Sequence, residues 1–294
     1  MFAAAIAAAL LGLATPAVVA ERGLHVLVAG PVVAHEVRYG AAERQAATLF
    51  VREKAGRAPL IVYVHGGGWI AGTPKAGAGG MQAEHWTGLG YAYATAGYRL
   101  APGATAEQQM QDLAQAVAAL RRAKGVDPGR IVLIGHSSGA QMAALLATDP
   151  HWLKDAGVPF ETVRAAVLLD PSGLDLPPLL ASRGDPTVEH YFRPTFGDNP
   201  ARQSALSPVT QTEPPNAPAW LILADVNNGF AQAQGSELAA GLIGAGAQVE
   251  TATIPGTTHL RLNDEIGRRL DKATAEIDAF LGRVFPQMQR VRRR

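Results

Sequence analysis

A serine flanked by two glycines is the first feature of this chain that could support chemistry. The sequence GHSSG at residues 135–139 directly follows the apolar, β-branched run 131–134 and leads into the alanine-rich stretch 140–147. A serine between a strand and a helix lies on a sharp turn, where flanking glycines avoid steric clashes and the hydroxyl is exposed. The alternative is a glycine-rich connection with an incidental serine. The context favours Ser137 as a nucleophile.

A second glycine-rich motif could supply hydrogen-bond donors to the reaction of such a serine. The sequence HGGGW at residues 65–69 follows the apolar run 60–64. Consecutive glycines leave backbone N–H groups open to a ligand, and acyl transfer needs donors where negative charge develops on the carbonyl oxygen. A phosphate-binding loop would continue with Gly-Lys-Ser/Thr, which is absent here. We therefore predict an oxyanion hole formed by the N–H groups of Gly66, Gly67 and Ser138.

A serine hydroxyl needs a base to take its proton, and histidine does this near neutral pH. Three histidines follow Ser137 in the sequence: His151, His190 and His259. His151 comes at the far end of the helix that follows Ser137, and His190 lies in a loop-rich stretch. His259 follows the last apolar run and precedes the last helix, so the sequence predicts His259 as the base.

The third partner is an acid that orients the imidazole and stabilises its charged form. We expect it after the penultimate apolar run, 220–223, where Asp225 is the only carboxylate between Pro215 and Glu237. By elimination, Asp225 is the predicted acid. Asp170, which follows the run 165–169, is the alternative.

The elements that must position these residues alternate along the chain. Short apolar runs at residues 60–64, 91–95, 131–134, 165–169, 220–223 and 249–254 predict buried strands. Helical patterns separate them, notably at 106–124 and 264–281. This alternation predicts an α/β fold whose mostly parallel sheet has helices on both faces. Residues 177–218 are rich in proline and polar residues and predict an excursion that forms a lid or pocket wall.

Composition excludes several classes of function. The 26 Lys and Arg residues nearly balance the 25 Asp and Glu residues, so no extended basic face for nucleic acid is expected. The chain has no cysteine, which excludes disulfides, thiolate metal sites and a cysteine nucleophile.

The N-terminus resembles an export signal. Residues 1–20 are almost wholly apolar and uncharged, and small residues at Val18 and Ala20 precede the first charges. We expect a cleaved signal peptide and a periplasmic or secreted protein. The n-region lacks Lys and Arg, which leaves two alternatives: a retained membrane anchor, or a mis-assigned start codon and a cytoplasmic protein.

Four features occur in an order that resembles a known family: HGGGW at 65–69, YRLAP at 98–102, GHSSG at 135–139 and the late His259. Together they resemble esterases related to hormone-sensitive lipase, especially the feruloyl/acetyl esterase-like and kynurenine formamidase-like branch. The resemblance implies an α/β-hydrolase fold and a single catalytic domain over residues 21–294. It also implies an ester or related amide substrate, with no cofactor and no metal.

One position departs from that family. Its acid usually stands three residues after a glycine that ends the penultimate strand, and counting from Ala224 that position is Asn227. An amide can hold a histidine but cannot stabilise imidazolium as a carboxylate does. The predicted Asp225 lies two residues earlier, so either the loop is remodelled and Asp225 reaches His259, or the triad is weakened.

Three functions follow from these features. The leading hypothesis is a serine carboxylesterase that acts on small or aromatic acyl esters through an acyl-enzyme intermediate. The second is an amidase of the kynurenine formamidase type, which would use the same groups. The third, a non-catalytic binding protein on a hydrolase scaffold, is kept open by the unusual acid position.

Overall fold

The chain is described by a computed structural model that covers residues 30–53, 56–75 and 81–291. The predicted signal peptide, residues 1–20, lies outside the described residues.

Eight strands form one sheet in the order β1-β2-β4-β3-β5-β6-β7-β8. The strands are β1 Val32–Arg38, β2 Ala46–Arg52, β3 Ala58–Val64, β4 Ala92–Ala96, β5 Val126–His136, β6 Val163–Leu169, β7 Ala219–Asp225 and β8 Gln248–Ile254. From β4 to β8 all neighbours are parallel, whereas β1 and β2 pair antiparallel at one edge. The six predicted runs are the six parallel strands, which confirms the predicted sheet. The predicted burial of the run 249–254 is wrong, because β8 lies at the sheet edge and its side chains are largely exposed.

Helices cover both faces of the sheet. They are α1 Met81–Gly88, α2 Ala106–Leu120, α3 Ser138–Thr148, α4 Pro150–Asp155, α5 Leu176–Ala181, α6 Arg193–Phe196, α7 Pro200–Ala205, α8 Gly229–Gly244, α9 Arg261–Asp264, α10 Lys272–Val284 and α11 Pro286–Val291. Strand β3 shows how the two layers are divided. Leu60 and Val62 pack towards α2, α3 and α8, while Ile61 and Tyr63 pack towards α1 and α10. This alternation buries both faces of a continuously apolar strand.

The segment between β6 and β7 differs in detail from the predicted loop-rich excursion. Short helices α5, α6 and α7 occupy it, together with a π-helical turn at Val188–Phe192 and a 3-10 turn at Pro208–Gln211. Prolines at the first turns of α5, α6 and α7 explain why these helices begin where they do, because proline is tolerated there. Arg202 ties the segment to α2 through a bidentate ion pair with Glu107, at 2.6 and 2.8 Å.

The last predicted helix, 264–281, is divided in two. Helix α9 ends at Asp264, Gly267 adopts a positive φ of 94°, and α10 begins after Asp271, whose carboxylate accepts the N–H of Thr274. Among the described residues, no helix has both the length and the apolar character needed to cross a membrane.

Candidate active site

Ser137 lies on the tight turn between β5 and α3. Its backbone has φ 55° and ψ −121°, a conformation that a residue with a side chain rarely adopts. Its N–H donates to the carbonyl of Leu169 at 2.9 Å, which joins the turn to β6. A Cβ atom on Gly135 would lie 2.2 Å from the carbonyl oxygen of Gly139, so the flanking glycines are required sterically. The predicted nucleophile turn is therefore present.

The glycine loop lies against this turn. A Cβ atom on Gly66 would lie 3.1 Å from Cβ of Ser137, and Gly66, Gly67, Ser137 and Ser138 all line one cavity of about 520 Å³. Ser138 is the first residue of α3, so its N–H has no acceptor within the helix. The structure thus brings together the three residues predicted for the oxyanion hole.

The conformation of the glycine loop is held from beneath by buried side chains. Trp69 adopts a positive φ of 64°; its indole N–H donates to Gln141 at 3.0 Å, and its carbonyl accepts from Gln109 at 2.8 Å. Both glutamine side chains are buried. They hold Trp69 at both ends and so stabilise a backbone conformation that is unfavourable for tryptophan.

His65, at the start of the loop, is buried and serves a structural role. Its Nδ1–H donates to the carbonyl of Gly66 at 2.7 Å, and its ring stacks on Tyr98 with 4.3 Å between ring centroids. Burial lowers the pKa of His65 to about 4, so the imidazole is neutral near pH 7.

His259 follows β8 and pairs with a carboxylate. Its Nδ1–H donates to Oδ2 of Asp170 at 2.7 Å. The Asp170 side chain is fully buried, whereas 41% of the His259 side chain is exposed, and both residues line the cavity that contains Ser137. Asp170 has a positive φ of 47°, which marks a third strained position at the site, after Ser137 and Trp69.

Asp170 is surrounded by donors that stabilise its charged form. Burial acts to raise the pKa of this carboxyl. Hydrogen bonds from His259, from the Asn228 amide and from the Asp225 N–H outweigh burial, so the pKa of Asp170 lies below its usual value. The carboxylate is consequently ionised at neutral pH.

The predicted acid, Asp225, does not occupy this position. Oδ1 of Asp225 accepts the backbone N–H of Asn227 at 3.0 Å and the Asn227 amide at 3.3 Å, which turns the carboxylate towards its own loop. The expected partnership of Asp225 with His259 is therefore corrected to Asp170, the alternative. Strands β6 and β7 are parallel neighbours, so Asp170 and Asp225 both lie at the carboxyl ends of the strands. The direction of each side chain decides which aspartate contacts His259.

Two further side chains at the site are not singled out by the sequence analysis. His136 is buried beside Ser137 and contacts the loop that carries His259. Burial, followed by the nearby His259, lowers the pKa of His136 to about 4. Asn228 contacts Asp170. His136 and Asn228 lie in motifs that are visible in the sequence. Their contacts, however, join residues 123 and 58 positions apart, which local residue patterns do not reveal.

Comparison with known proteins decides the family. A family model described as the alpha/beta hydrolase fold matches residues 61–262. The chain belongs to the alpha/beta-hydrolase family. One similar curated protein is "Esterase LipQ" of Mycobacterium tuberculosis, which is 27% identical over 69% of this chain and 50% of that protein. Another is "Ethyl acetate hydrolase" of Pseudomonas putida, which is 27% identical over 68% of this chain and 64% of that protein. The chain spans between 27% and 64% of the length of the curated relatives it matches.

Solved structures share this alpha/beta-hydrolase architecture. Esterase B from Lactobacillus rhamnosis superimposes with a TM-score of 0.71 at 20% identity, covering 88% of this chain and 86% of that chain. Esterase Est2 from Thermogutta terrifontis superimposes with a TM-score of 0.63 at 24% identity, covering 85% of this chain and 92% of that chain. At these identities the likeness shows the fold.

The walls of the cavity are largely apolar around Ser137 and His259. Tyr191, from the π-helical turn, packs directly on the glycine loop: a Cβ atom on Gly68 would lie 2.3 Å from its ring. Phe192, Phe230 and Leu260 add further apolar surface to the lining. Residues 30–53, 56–75 and 81–291 contain no group of three His, Asp or Glu side chains that could hold a metal ion.

Proposed function

We propose that the protein is a serine carboxylesterase that hydrolyses small or aromatic acyl esters through an acyl-enzyme intermediate. The observation that carries the proposal is the 2.7 Å hydrogen bond between His259 and the buried Asp170, at the cavity that also exposes Ser137 and the glycine loop. A base oriented by a carboxylate, beside a serine on a strained turn, is the arrangement that activates a hydroxyl for acyl transfer.

In the acylation step, Oγ of Ser137 attacks the ester carbonyl carbon while Nε2 of His259 accepts the hydroxyl proton. Negative charge develops on the carbonyl oxygen, where the N–H groups of Gly66, Gly67 and Ser138 would donate to it. The C–O bond to the alcohol then breaks, and His259 returns its proton to the departing oxygen. Asp170 stabilises the imidazolium between these two transfers.

In the deacylation step, water takes the place of the alcohol. The water oxygen attacks the acyl-enzyme carbonyl carbon while His259 removes a proton from the water. The bond to Oγ then breaks, and His259 returns the proton to Ser137. The acid product leaves with the free enzyme restored, so the cycle uses the protein's own groups and water.

The acyl preference is proposed from the cavity. A volume of about 520 Å³ lies in the range of small-molecule sites, and its apolar walls suit acetyl to aromatic acyl groups. The similarity to a protein named as an ethyl acetate hydrolase is consistent with small esters. An amide substrate would require protonation of a poorer leaving group by the same His259.

A fluorophosphonate probe tests the nucleophile. We expect stoichiometric labelling of the wild type, loss of labelling in Ser137→Ala, and unchanged labelling in Ser236→Ala, whose hydroxyl is bound to Gln232 on the surface of α8. A folded wild-type protein that resists the probe would refute the proposal. Turnover of p-nitrophenyl acetate, p-nitrophenyl butyrate, a feruloyl ester and N-formylkynurenine then distinguishes esterase from amidase.

A further inference from the structure

Asn228 donates a hydrogen bond to the same carboxylate oxygen of Asp170 that accepts the hydrogen bond from His259. Its amide Nδ2 lies 2.9 Å from Oδ2 of Asp170, and that oxygen lies 2.7 Å from Nδ1 of His259. A single oxygen atom therefore separates the Asn228 amide from the catalytic imidazole.

The other end of the Asn228 side chain is fixed as well. Asn228 is the N-cap residue of α8, and its Oδ1 accepts the backbone N–H of Ala231 at 3.2 Å. With the oxygen committed to the helix, only the NH2 group can face Asp170. The cap thereby determines that this side chain presents donors to the carboxylate.

The two carboxylate oxygens of Asp170 accept hydrogen bonds from different donors. Oδ1 accepts the Asp225 N–H at 3.0 Å, which anchors the carboxylate to the end of β7. Oδ2 accepts both the Asn228 amide and the His259 imidazole. Without the amide, nothing else among the described contacts of Oδ2 would hold that oxygen in line with His259.

We propose that Asn228 is the positioning residue of this triad: its amide holds Oδ2 of Asp170 towards His259. This inference rests on the proposed function, because it assumes that His259 and Asp170 act on Ser137. Asn228 lies in the loop after β7, the neighbour of the strand that ends at Asp170. The residue after β6, Asp170, thus supplies the negative charge that faces His259, and the loop after β7 supplies the amide that supports Asp170.

Replacing the amide while keeping the helix cap tests the positioning role. Asn228→Ser retains a capping hydroxyl but removes the donor to Asp170. We expect kcat to fall about tenfold with KM unchanged, since a hydrogen bond to a charged group is lost in the step that uses it. The matched control is Asn199→Ser, which makes the same change at the N-cap of α7. We expect kcat of the control to stay at the wild-type value, and wild-type kcat in Asn228→Ser would overturn the proposal.

A double-mutant cycle tests whether Asn228 acts through Asp170. Asp170→Asn alone should lose on the order of 10⁴ in kcat, as expected when the acid of a triad becomes an amide. In the double variant Asp170→Asn/Asn228→Ser, no carboxylate remains for the amide to hold in place. We therefore expect kcat of the double variant to lie within about twofold of that of Asp170→Asn, whereas a merely structural role for Asn228 would lower kcat about tenfold further.

The outcomes separate this inference from the proposed function. A double variant that melts like Asp170→Asn but is about tenfold less active than it would overturn the inference alone. Absence of fluorophosphonate labelling at Ser137 in the wild type would refute the proposed function itself. Wild-type activity in Asp170→Asn would refute the acid assignment, and with it the role of Asn228.

Discussion

His136 donates its Nε2–H to the carbonyl oxygen of His259 at 2.8 Å, and their ring centroids lie 4.6 Å apart. A carbonyl only accepts, so this contact requires the proton of His136 to be on Nε2. The residue before Ser137, the proposed nucleophile, thus anchors the backbone of His259, the proposed base. This contact couples the Ser137 turn to the loop after β8.

Removing this donor should reduce activity through misplacement of His259. In His136→Phe the ring volume is approximately kept, but the carbonyl of His259 loses its partner, so we expect kcat to fall about tenfold or more. His136→Gln, which keeps an N–H donor, should recover part of the loss. His151→Phe is the control, because His151 is exposed and bonded to Asp149. Steady-state kinetics with p-nitrophenyl butyrate measure the effect, and equal kcat in His136→Phe and the control would contradict it.

Substituting the two aspartates at the neighbouring strand ends should have unequal effects. Asp170→Asn removes the charge that stabilises the His259 imidazolium, with an expected loss of about 10⁴ in kcat. Asp225→Asn keeps an acceptor for the Asn227 N–H, so we expect kcat within about threefold of the wild type, as for an exchange that preserves the local hydrogen bond. Kinetics of the two variants, with melting temperatures as a check on folding, decide the point. A larger loss in Asp225→Asn would return the acid to β7.

A methyl group on the oxyanion loop should impair turnover more than stability. In Gly66→Ala, the new Cβ would lie 2.9 Å from the carbonyl oxygen of His136 and 3.1 Å from Cβ of Ser137, so the loop must shift from the nucleophile. We expect kcat to fall by about 10², the effect of losing one oxyanion donor.

Gly157→Ala provides the complementary control for this loop. Gly157 has a φ of 71°, and a Cβ atom there would meet nothing within 4 Å. We expect a loss of about 1 kcal/mol in the free energy of unfolding and unchanged kcat, because only backbone strain is added. Equal kcat for the Gly66 and Gly157 variants would argue against the predicted oxyanion hole.

Two buried histidines should make the fold sensitive to mild acid. The pKa values of His65 and His136 are lowered by burial to about 4, against about 6.5 in an unfolded chain. Between these values the unfolded state binds more protons than the folded state. Stability contributed by the neutral imidazoles is therefore full above pH 6.5 and is lost as the pH falls towards 4. The slope is up to about 1.4 kcal/mol per pH unit for each histidine.

Urea denaturation at several pH values between 7 and 4.5 measures this dependence. His136→Gln removes one of the two titrating groups, so its unfolding free energy should fall less steeply with decreasing pH than that of the wild type. An unchanged slope in this variant would show that His136 titrates normally in the folded protein.

The parallel strands and the turn that carries Ser137 follow from local sequence. A strand buried on both faces must be continuously apolar, and such runs predicted β3 to β7. The run 249–254 predicted β8, which lies at the sheet edge and has largely exposed side chains. The glycines around Ser137 are required by the turn itself, so the motif predicts its own backbone geometry. Strand β1 lies at the sheet edge and β2 lies between β1 and β4. Both have partly exposed side chains and therefore lack that apolar signal.

The identity of the acid was decided by tertiary structure. Asp170 and Asp225 both end strands that lie side by side in the sheet, so their positions in the sequence make them equivalent candidates. The difference arises from side-chain direction: Asp225 turns back to the N–H of Asn227, whereas Asp170, with a positive φ, faces His259 across 89 residues of sequence.

The sequence alone predicted Ser137, the glycine loop and His259 as site residues, because each prediction follows from the local turn or the strand order around it. Only the tertiary structure decided that Asp170 pairs with His259, that Asn228 supports Asp170 and that His136 holds the His259 loop. The physical reason is that these hydrogen bonds join segments 58 to 123 residues apart. Their geometry depends on sheet register and loop direction, which local residue patterns do not specify.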